Sequence, residues 1–371
     1  MKHRSNTAVA LALALVFTSG SARAVPGDRQ EKEEKATVPA KGKVALAVKN
    51  ARGRTVVVGR PEATSISVVA MKTATGRDTG ETRAMLDRLK VEISESGDEV
   101  TVETKDGNKY EDWSWSVMSV VKGNRRSAWV DYTIEVPLHY RVTASTTSGE
   151  IRVSNINGRA DVGATSGDVT LRGVLAGGRV AITSGDVEAS DIGGDFAVSA
   201  TSGNVTVDNV RGTLTISGTS GDFDVSRVER DVSVDMTSGD FVLEGCSGNV
   251  VFRAASGDAR LSEVDGSIDA SSSSGDIMVL ISPVGDRRFS FSSSSGDIDI
   301  SYLPAKNYGF ELDIATHSGS IEGDMPIRVS RVDRKRLQGV VGTGTARVKV
   351  ETASGDVTII EKSDAAVKPA R

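Results

Sequence analysis

The sequence predicts an all-β chain, a parallel β-solenoid whose 18-residue coils hold two short strands each, preceded by a capping N-terminal β region with one short helix. Three observations predict it. The tripeptide Ser-Gly-Asp, or its variants ending in Glu or Asn, recurs with its glycine at Gly149, Gly167, Gly185, Gly203, Gly221, Gly239, Gly257 and Gly275, at successive intervals of eighteen. Apolar residues fall in fixed columns behind each serine: Val169, Val187, Val205 and Phe223, then Leu171, Val207 and Val225, then Val174, Ile192, Val210 and Val228. Glycine is abundant at 39 residues and aromatics make up only 4%, which suits narrow stacked coils better than a bulky core.

The N-terminus carries Lys2, His3 and Arg4, an apolar run from Ala8 to Phe17, and small residues ending in Ala22-Arg23-Ala24. This is the pattern of a secretory signal peptide (1–24), cleaved after Ala24, and it predicts export to the periplasm or cell surface. The run is too short to span a bilayer, and no later stretch approaches eighteen apolar residues. Residues 25–42 are charged, punctuated by Pro and Gly, and read as a flexible linker.

Residues 43–140 read as the N-terminal β region. VALAV (44–48), RTVVVG (54–59) and SISVVAM (65–71) alternate or run apolar between polar breaks, as strands do. TGETRAMLDRLK (79–90) predicts a helix, with Thr79 as its cap and Met85, Leu86 and Leu89 at helical spacing. VEISESGDEVTVET (91–104) predicts a hairpin turning at Ser96-Gly97-Asp98. An aromatic insertion spans 110–132 and holds all three tryptophans.

From 141 to 361 the ladder continues, with further glycines at Gly296, Gly319 and Gly355 at intervals of 21, 23 and 36, the last equal to two periods. Strands of successive coils would stack in parallel, because a single coil cannot bury its own apolar face. The span has room for about twelve coils. Extra residues around Ile281–Arg288 and Tyr302–Phe310 are expected as surface bulges that leave the stacking intact, and 362–371 as a disordered tail.

Three stretches carry a family resemblance: VDYTIEVPLHYRVTASTTSGEIRV (130–153), the Ser-Gly-Asp ladder, and LQGVVGTGTARVKVETASGDVTII (337–360). Together they resemble the putative-adhesin family of exported bacterial β-strand-repeat proteins, a domain of unknown function, from about Val44 to Ile360. The resemblance implies the solenoid fold and brings no catalytic residues with it. The insertion around Trp113 departs from the family pattern.

The recurrent aspartates (Asp168, Asp186, Asp222, Asp240, Asp258, Asp276, Asp297, Asp356) could be a calcium ladder or a corner device. Calcium β-rolls need G-G-x-G-x-D-x-U-x, whereas here one Ser-Gly-Asp serves eighteen residues and Asn204 or Glu150 replaces Asp. The corner reading is preferred: the eleven glycines supply the turn, and Ser and Asp accept hydrogen bonds from turn amides. The Thr147, Thr165, Thr183, Thr201 column is read as a stabilising ladder.

Cys246, the only cysteine, shares a column with Val228 and Val264 and so belongs in the core, and no disulfide can form within the chain. His139 and His317 have no zinc or triad spacing. No metal ligand, cofactor or catalytic residue is predicted. From Val142 to Glu322 there are 26 acidic and 12 basic residues, a balance of −14 that excludes nucleic acid as partner.

The candidate partner-binding residues are Tyr110, Trp113, Trp115, Arg125, Arg126 and Trp129, an aromatic and basic cluster that would either cover the open first coil or bind a partner. RVSRVDRKR (328–336) is a basic run read as a solvated loop. The functional expectation is a non-enzymatic cell-envelope scaffold, an adhesin-like binding rod for an envelope protein or glycan. A periplasmic envelope-stress or regulatory accessory protein is the alternative, and a carbohydrate-active β-helix enzyme a third.

Overall fold

Short strands that bury every second side chain need a partner strand on each side and a second sheet to face. Parallel stacking of coils provides both. The structure of the protein, a computed structural model, describes residues 18–19, 23–24, 29–106, 126–304, 308–343 and 345–362. It divides into two units, Met1–Gly178 and Arg179–Arg371.

The first unit holds β1 (Thr18–Ser19), β2 (Arg23–Ala24), β3 (Arg29–Pro39), β4 (Ala45–Arg52), β5 (Thr55–Arg60) and β6 (Ser65–Thr75). Helix α1 (Thr79–Arg88) follows, then β7 (Leu89–Ser96), β8 (Glu99–Asp106), β9 (Ser127–Pro137), β10 (Arg141–Ser148), β11 (Ile151–Ile156), β12 (Ala160–Ser166) and β13 (Val169–Val174). Strands β4 and β5 form a full coil: β4 pairs in parallel with β10, and β5 with β11. On their other side β4 pairs with β8 and β5 with β9, also in parallel. The coil made first in the sequence is therefore inserted between the coils β8/β9 and β10/β11. The region expected as a cap is in large part solenoid, closed by antiparallel β7 against β8 and by β6 and then β3 beyond β9.

The expected linker overlaps β3, an eleven-residue strand paired along its length with β6. Its inward face carries Glu34, Ala36 and Val38, and the Glu34 carboxylate is 2.7 Å from the Lys72 ammonium on β6, a lysine only 5% exposed. The charged composition concealed a strand whose inward charge is neutralised 38 residues away. The cap of α1 lies one residue before the expected Thr79: Asp78 accepts from the Glu81 amide at 2.8 Å, and Glu81 accepts from the Arg77 amide. The hairpin turn lies at Gly97-Asp98, between the paired Ser96 and Glu99. Of the expected signal segment, β1 and β2 pair with β3; the rest of 1–24 and the tail from 363 lie outside the described residues.

The second unit holds the regular ladder. One sheet contains β14 (Gly178–Ser184), β16 (Phe196–Ser202), β18 (Leu214–Ser220), β20 (Val232–Ser238), β22 (Val250–Ser256), β24 (Ile268–Ser274) and β26 (Arg288–Ser293). The facing sheet contains β15 (Val187–Ile192), β17 (Val205–Val210), β19 (Phe223–Val228), β21 (Phe241–Cys246), β23 (Ala259–Val264), β25 (Ile277–Ile281) and β27 (Ile298–Tyr302). Pairing is parallel and in register at eighteen residues, Val205 beside Phe223 and Phe223 beside Phe241. Between the sheets, the rings of Phe241 and Phe252 stack at 5.4 Å. Each fully buried aliphatic side chain contributes about 1.5–3 kcal/mol, so stability accumulates coil by coil.

In the facing sheet, inward residues follow the spacing Val205, Val207, Val210, a step of two and then of three. The step of three has a backbone cause. Asn155, Asp191, Asn209, Arg227 and Glu263 all lie near φ +55°, and Gly173 and Gly245 occupy the same column. A left-handed residue resets the alternation, so that Val210 again points inward.

The end of this unit departs from chain order. After β27 come β28 (Gly309–Thr316), β29 (Ile321–Asp324), β30 (Ile327–Asp333), β31 (Arg336–Gly342), β32 (Ala346–Thr352) and β33 (Val357–Glu361). Strand β32 pairs in parallel with both β26 and β28, and β33 with both β27 and β29. The last coil in sequence is thus the penultimate coil in space, and the expectation of intact sequential stacking is corrected. The 36-residue interval is likewise not two periods, because it contains the antiparallel hairpin β30–β31 on the edge of β28. The basic run read as a solvated loop is part of that hairpin.

The corner glycines give a direct test. At Gly239 (φ +114°) an added Cβ would overlap the Gly221 carbonyl, whereas Glu263 holds the left-handed region with a side chain. Gly239→Ala is expected to cost about 3 kcal/mol, from backbone strain plus displacement of the coil below. Glu263→Gly should stay within about 1 kcal/mol of the parent, since relief of strain offsets the entropy of glycine. Urea denaturation of the two variants checks both values.

Candidate functional site

The polar repeat was the first candidate, and its geometry is a chain of carboxylate-to-amide bonds. Asp186 Oδ1 accepts from the Asn204 amide at 2.9 Å, and Asn204 Oδ1 accepts from the Asp222 amide at 3.1 Å. Asp222, Asp240 and Asp258 continue upward at 3.1, 3.1 and 2.8 Å, and Asp276 accepts from the Asp297 amide at 2.8 Å. Asp297 then serves the Asp356 amide, and Asp356 the Ser320 amide at 2.6 Å. Each side chain satisfies the corner amide of the coil laid on it. Asn204 works because its amide oxygen accepts equally well. Serine suffices at Ser320, in the coil that ends the series.

The corner glycines are of two kinds. Gly167, Gly185, Gly203, Gly221, Gly239 and Gly257 lie at φ of 114–131°, while Gly149 and Gly275 lie near 155°. At Gly296, Gly319 and Gly355 the backbone is outside that region, and the amide donates to the hydroxyl of Ser293, Thr316 or Thr352, three residues earlier. Along the ladder within each unit, close approach to the neighbouring glycine carbonyl leaves no room for a Cβ; Gly355 sits on Gly296, and Gly319 on Gly355. A second corner repeats the device, with Asp231 Oδ1 accepting from the Asn249 amide at 2.7 Å and Asn249 Oδ1 from the Ser267 amide at 3.0 Å.

Of the predicted cluster, Tyr110, Trp113, Trp115 and Arg125 lie outside the described residues. Trp129 stands on β9 in the first unit, in register with Thr73 of β6, which is in register with Glu31 of β3. Its Nε1 donates to Asp131 at 3.1 Å, and the Arg29 guanidinium lies 5.6 Å from its ring centre. Asp131 also accepts the Arg54 amide at 2.7 Å. Arg126 pairs with Glu81 of α1 at 2.8 Å. Trp129 and Arg126 are thus brought to one sheet end, with Arg29, Glu81 and Asp131 as partners that sequence reasoning missed. Trp129-x-Asp131, two residues apart on one strand face, was the available signal. Beneath, Tyr132 bonds Thr104 at 2.7 Å, and burial pushes its phenol well above the usual tyrosine range.

In the second unit a groove of about 580 Å³ runs beside the left-handed column, lined among others by Arg227, Glu229, Cys246, Glu263, Asp265 and Leu303. Cys246 is 3% exposed and burial pushes its thiol up to about 11, the behaviour of a small core residue and not of a nucleophile. Among the described residues, no group of three or more His, Cys, Asp or Glu side chains could hold a metal ion, and no helix is long and apolar enough to cross a membrane.

Comparison with known proteins gives one family and several solved structures. The family described as Toastrack DUF4097 matches residues 29–245 and 194–360. A structure described as a putative cell adhesion protein from Clostridium sporogenes is similar at 10% identity, covering 90% of this chain and 100% of that one, with a TM-score of 0.24. A putative adhesin from Bacteroides fragilis (8% identity, 88% and 96% covered, TM-score 0.27) and a putative lipid binding protein from Parabacteroides distasonis (14%, 88% and 96%, 0.32) are also similar. No curated protein matches the chain.

The end of the ladder yields a pH prediction. The hydrogen bond from the Ser320 amide holds the Asp356 carboxyl below its ordinary value of 3.8, with Lys335 adding to the effect. A depressed carboxylate stabilises the fold above its unfolded pKa, and that contribution disappears as pH falls through the lower folded value. Asp356→Asn should therefore lower stability modestly at neutral pH, where the carboxylate contributes, and converge on the parent as pH falls below 3.8, which flattens the acid limb. Denaturant unfolding across the acid range measures this, and an unchanged acid limb would refute it.

Proposed function

Because the chain belongs to the Toastrack DUF4097 family, we propose that it is an exported, non-enzymatic β-solenoid that acts as an adhesin-like binding scaffold in the cell envelope. One observation carries the reading: the recurrent carboxylates, the most site-like feature of the chain, accept amides of the next coil from Asp186 to Asp356. The repeat is thereby committed to building a rigid support. Recognition is assigned to the irregular sheet end that carries Trp129, Arg29 and Arg126, for an envelope protein or glycan. Export rests on the leader pattern of residues 1–24.

Cosedimentation with isolated cell envelopes tests the proposal. The chain lacking residues 1–24 should pellet with envelopes, and Trp129→Ala should weaken this about tenfold, the range of an aromatic anchor, with little change in melting temperature. Failure of the parent chain to pellet would sink the proposal. If binding and melting temperature fell together, Trp129 would be structural.

A second reading, a carbohydrate-active enzyme, draws on the groove beside Cys246, whose rim carries Glu229, Glu263 and Asp265. Against it, residues 142–285 contain no Trp or Tyr to stack on a sugar. Release of reducing ends from a polysaccharide panel, abolished by Glu263→Gln, is the result that would establish it.

A further inference from the structure

In the second unit the two facing sheets end unequally. The sheet containing β28 continues through β31 to β30, whereas the facing sheet stops at β29, four residues long and paired, among the described residues, only with β33. The overhang is two strands, roughly 10 Å.

The inward face of this overhang continues the core. Phe310, Leu312 and Ile314 of β28, at most 3% exposed, stand opposite Val341, Gly339 and Leu337 of β31. Those in turn stand opposite Ile327, Val329 and Val332 of β30. Paired residues share a face, so one apolar surface runs across all three strands. Its cover runs out along the way: Ile314 is buried and Leu337 half-buried, while Val329 is 49% and Val332 68% exposed. The first unit meets the same problem with α1, which packs on β3, β6 and β7. Among the described residues α1 is the only helix, and nothing equivalent lies over β30 and β31.

The two levels of this step also differ in charge. The hairpin 327–342 carries Arg328, Arg331, Arg334, Lys335 and Arg336 against Asp333, a balance of 5 − 1 = +4. The short edge β29 reads Ile-Glu-Gly-Asp, with Glu322 and Asp324 exposed. A basic overhang above an acidic ledge is self-complementary under a two-fold rotation, which brings each overhang over the other copy's ledge.

We propose that this end is the interface of a homodimer. The hairpin of each copy fills the step of the other: the open edge of β30 meets the edge of β29 in the second copy, Arg328 and Arg331 meet Glu322 and Asp324, and the valine rows of the two hairpins face each other. The open edges and the apolar face, each an association hazard in a free monomer, are covered in one contact.

Sedimentation velocity of the full chain over a concentration series tests this. The parent should be a dimer, and Val329→Asp with Val332→Asp should give folded monomers, their strand signal in circular dichroism unchanged. Arg328→Glu with Arg331→Glu should weaken the dimer by at least about tenfold. Adding Glu322→Lys and Asp324→Lys to that pair should restore it, which only a contact between these two edges achieves. A parent monomeric at every concentration would overturn the proposal. So would dimers that appear only after removal of residues 363–371, which would make the tail the cover, or a charge swap that fails to restore association.

Discussion

The contact between one glycine corner and the next sets the geometry of the whole ladder. Within each unit the carbonyl of a corner glycine occupies the space that a Cβ of the glycine in the coil above would need, Gly53 against Gly149 and Gly149 against Gly167 in the first, and Gly185 against Gly203 through Gly257 against Gly275 in the second. Strands can stack in register at that corner only if both residues lack side chains. The aspartate beside the glycine then takes the amide that the turn leaves over, so close packing and hydrogen-bond satisfaction are met by adjacent residues. With the corner fixed, the inward columns Phe223, Phe241 and Ala259 lie directly over one another. The left-handed column then turns the end of each strand back to the core.

A stack of coils must also begin and end, and here the chain leaves the simple repeat. In each unit a coil is inserted out of chain order, β4/β5 between β8/β9 and β10/β11, and β32/β33 between β26/β27 and β28/β29. Antiparallel strands then take over, β7, β6 and β3 in the first unit, β31 and β30 in the second. Because antiparallel strands break the eighteen-residue register, the segments they hold can carry side chains that the corners and core of the repeat would not accept. Trp129 with Arg29, and the valines and arginines of β30, are such side chains. Recognition therefore belongs with the irregular elements, and rigidity with the regular ones.

Much of the fold was legible because the ladder is written locally: Gly185 to Gly275 and the columns behind them depend on residues eighteen apart in sequence and adjacent in space. The left-handed column was equally local yet went unread, since Asn, Asp and Gly announce it but Arg227 and Glu263 disguise it. What stayed illegible was non-local. Nothing within Arg29–Pro39 shows that Glu34 is neutralised by Lys72, and nothing in Ala346–Glu361 says that this coil sits beneath the one preceding it in sequence. At the candidate site, Trp129 and Arg126 stood out by residue type, whereas Arg29 and Glu81 are joined to them only by the pairing of β3, β6 and β9 and the placement of α1.

The central claim is that the recurrent aspartate is a corner device and not a cation ladder, and the most direct measurement is the melting temperature of two triple variants in EDTA and in calcium. With Asp222, Asp240 and Asp258 replaced by Asn, the corner oxygen that accepts the next amide is retained. The account predicts a melting temperature close to the parent's, equal in EDTA and calcium, while replacement of the same three by Ala lowers it by several degrees. A parent that melts several degrees higher in calcium than in EDTA, with that gain lost in the Asn variant, would contradict the account.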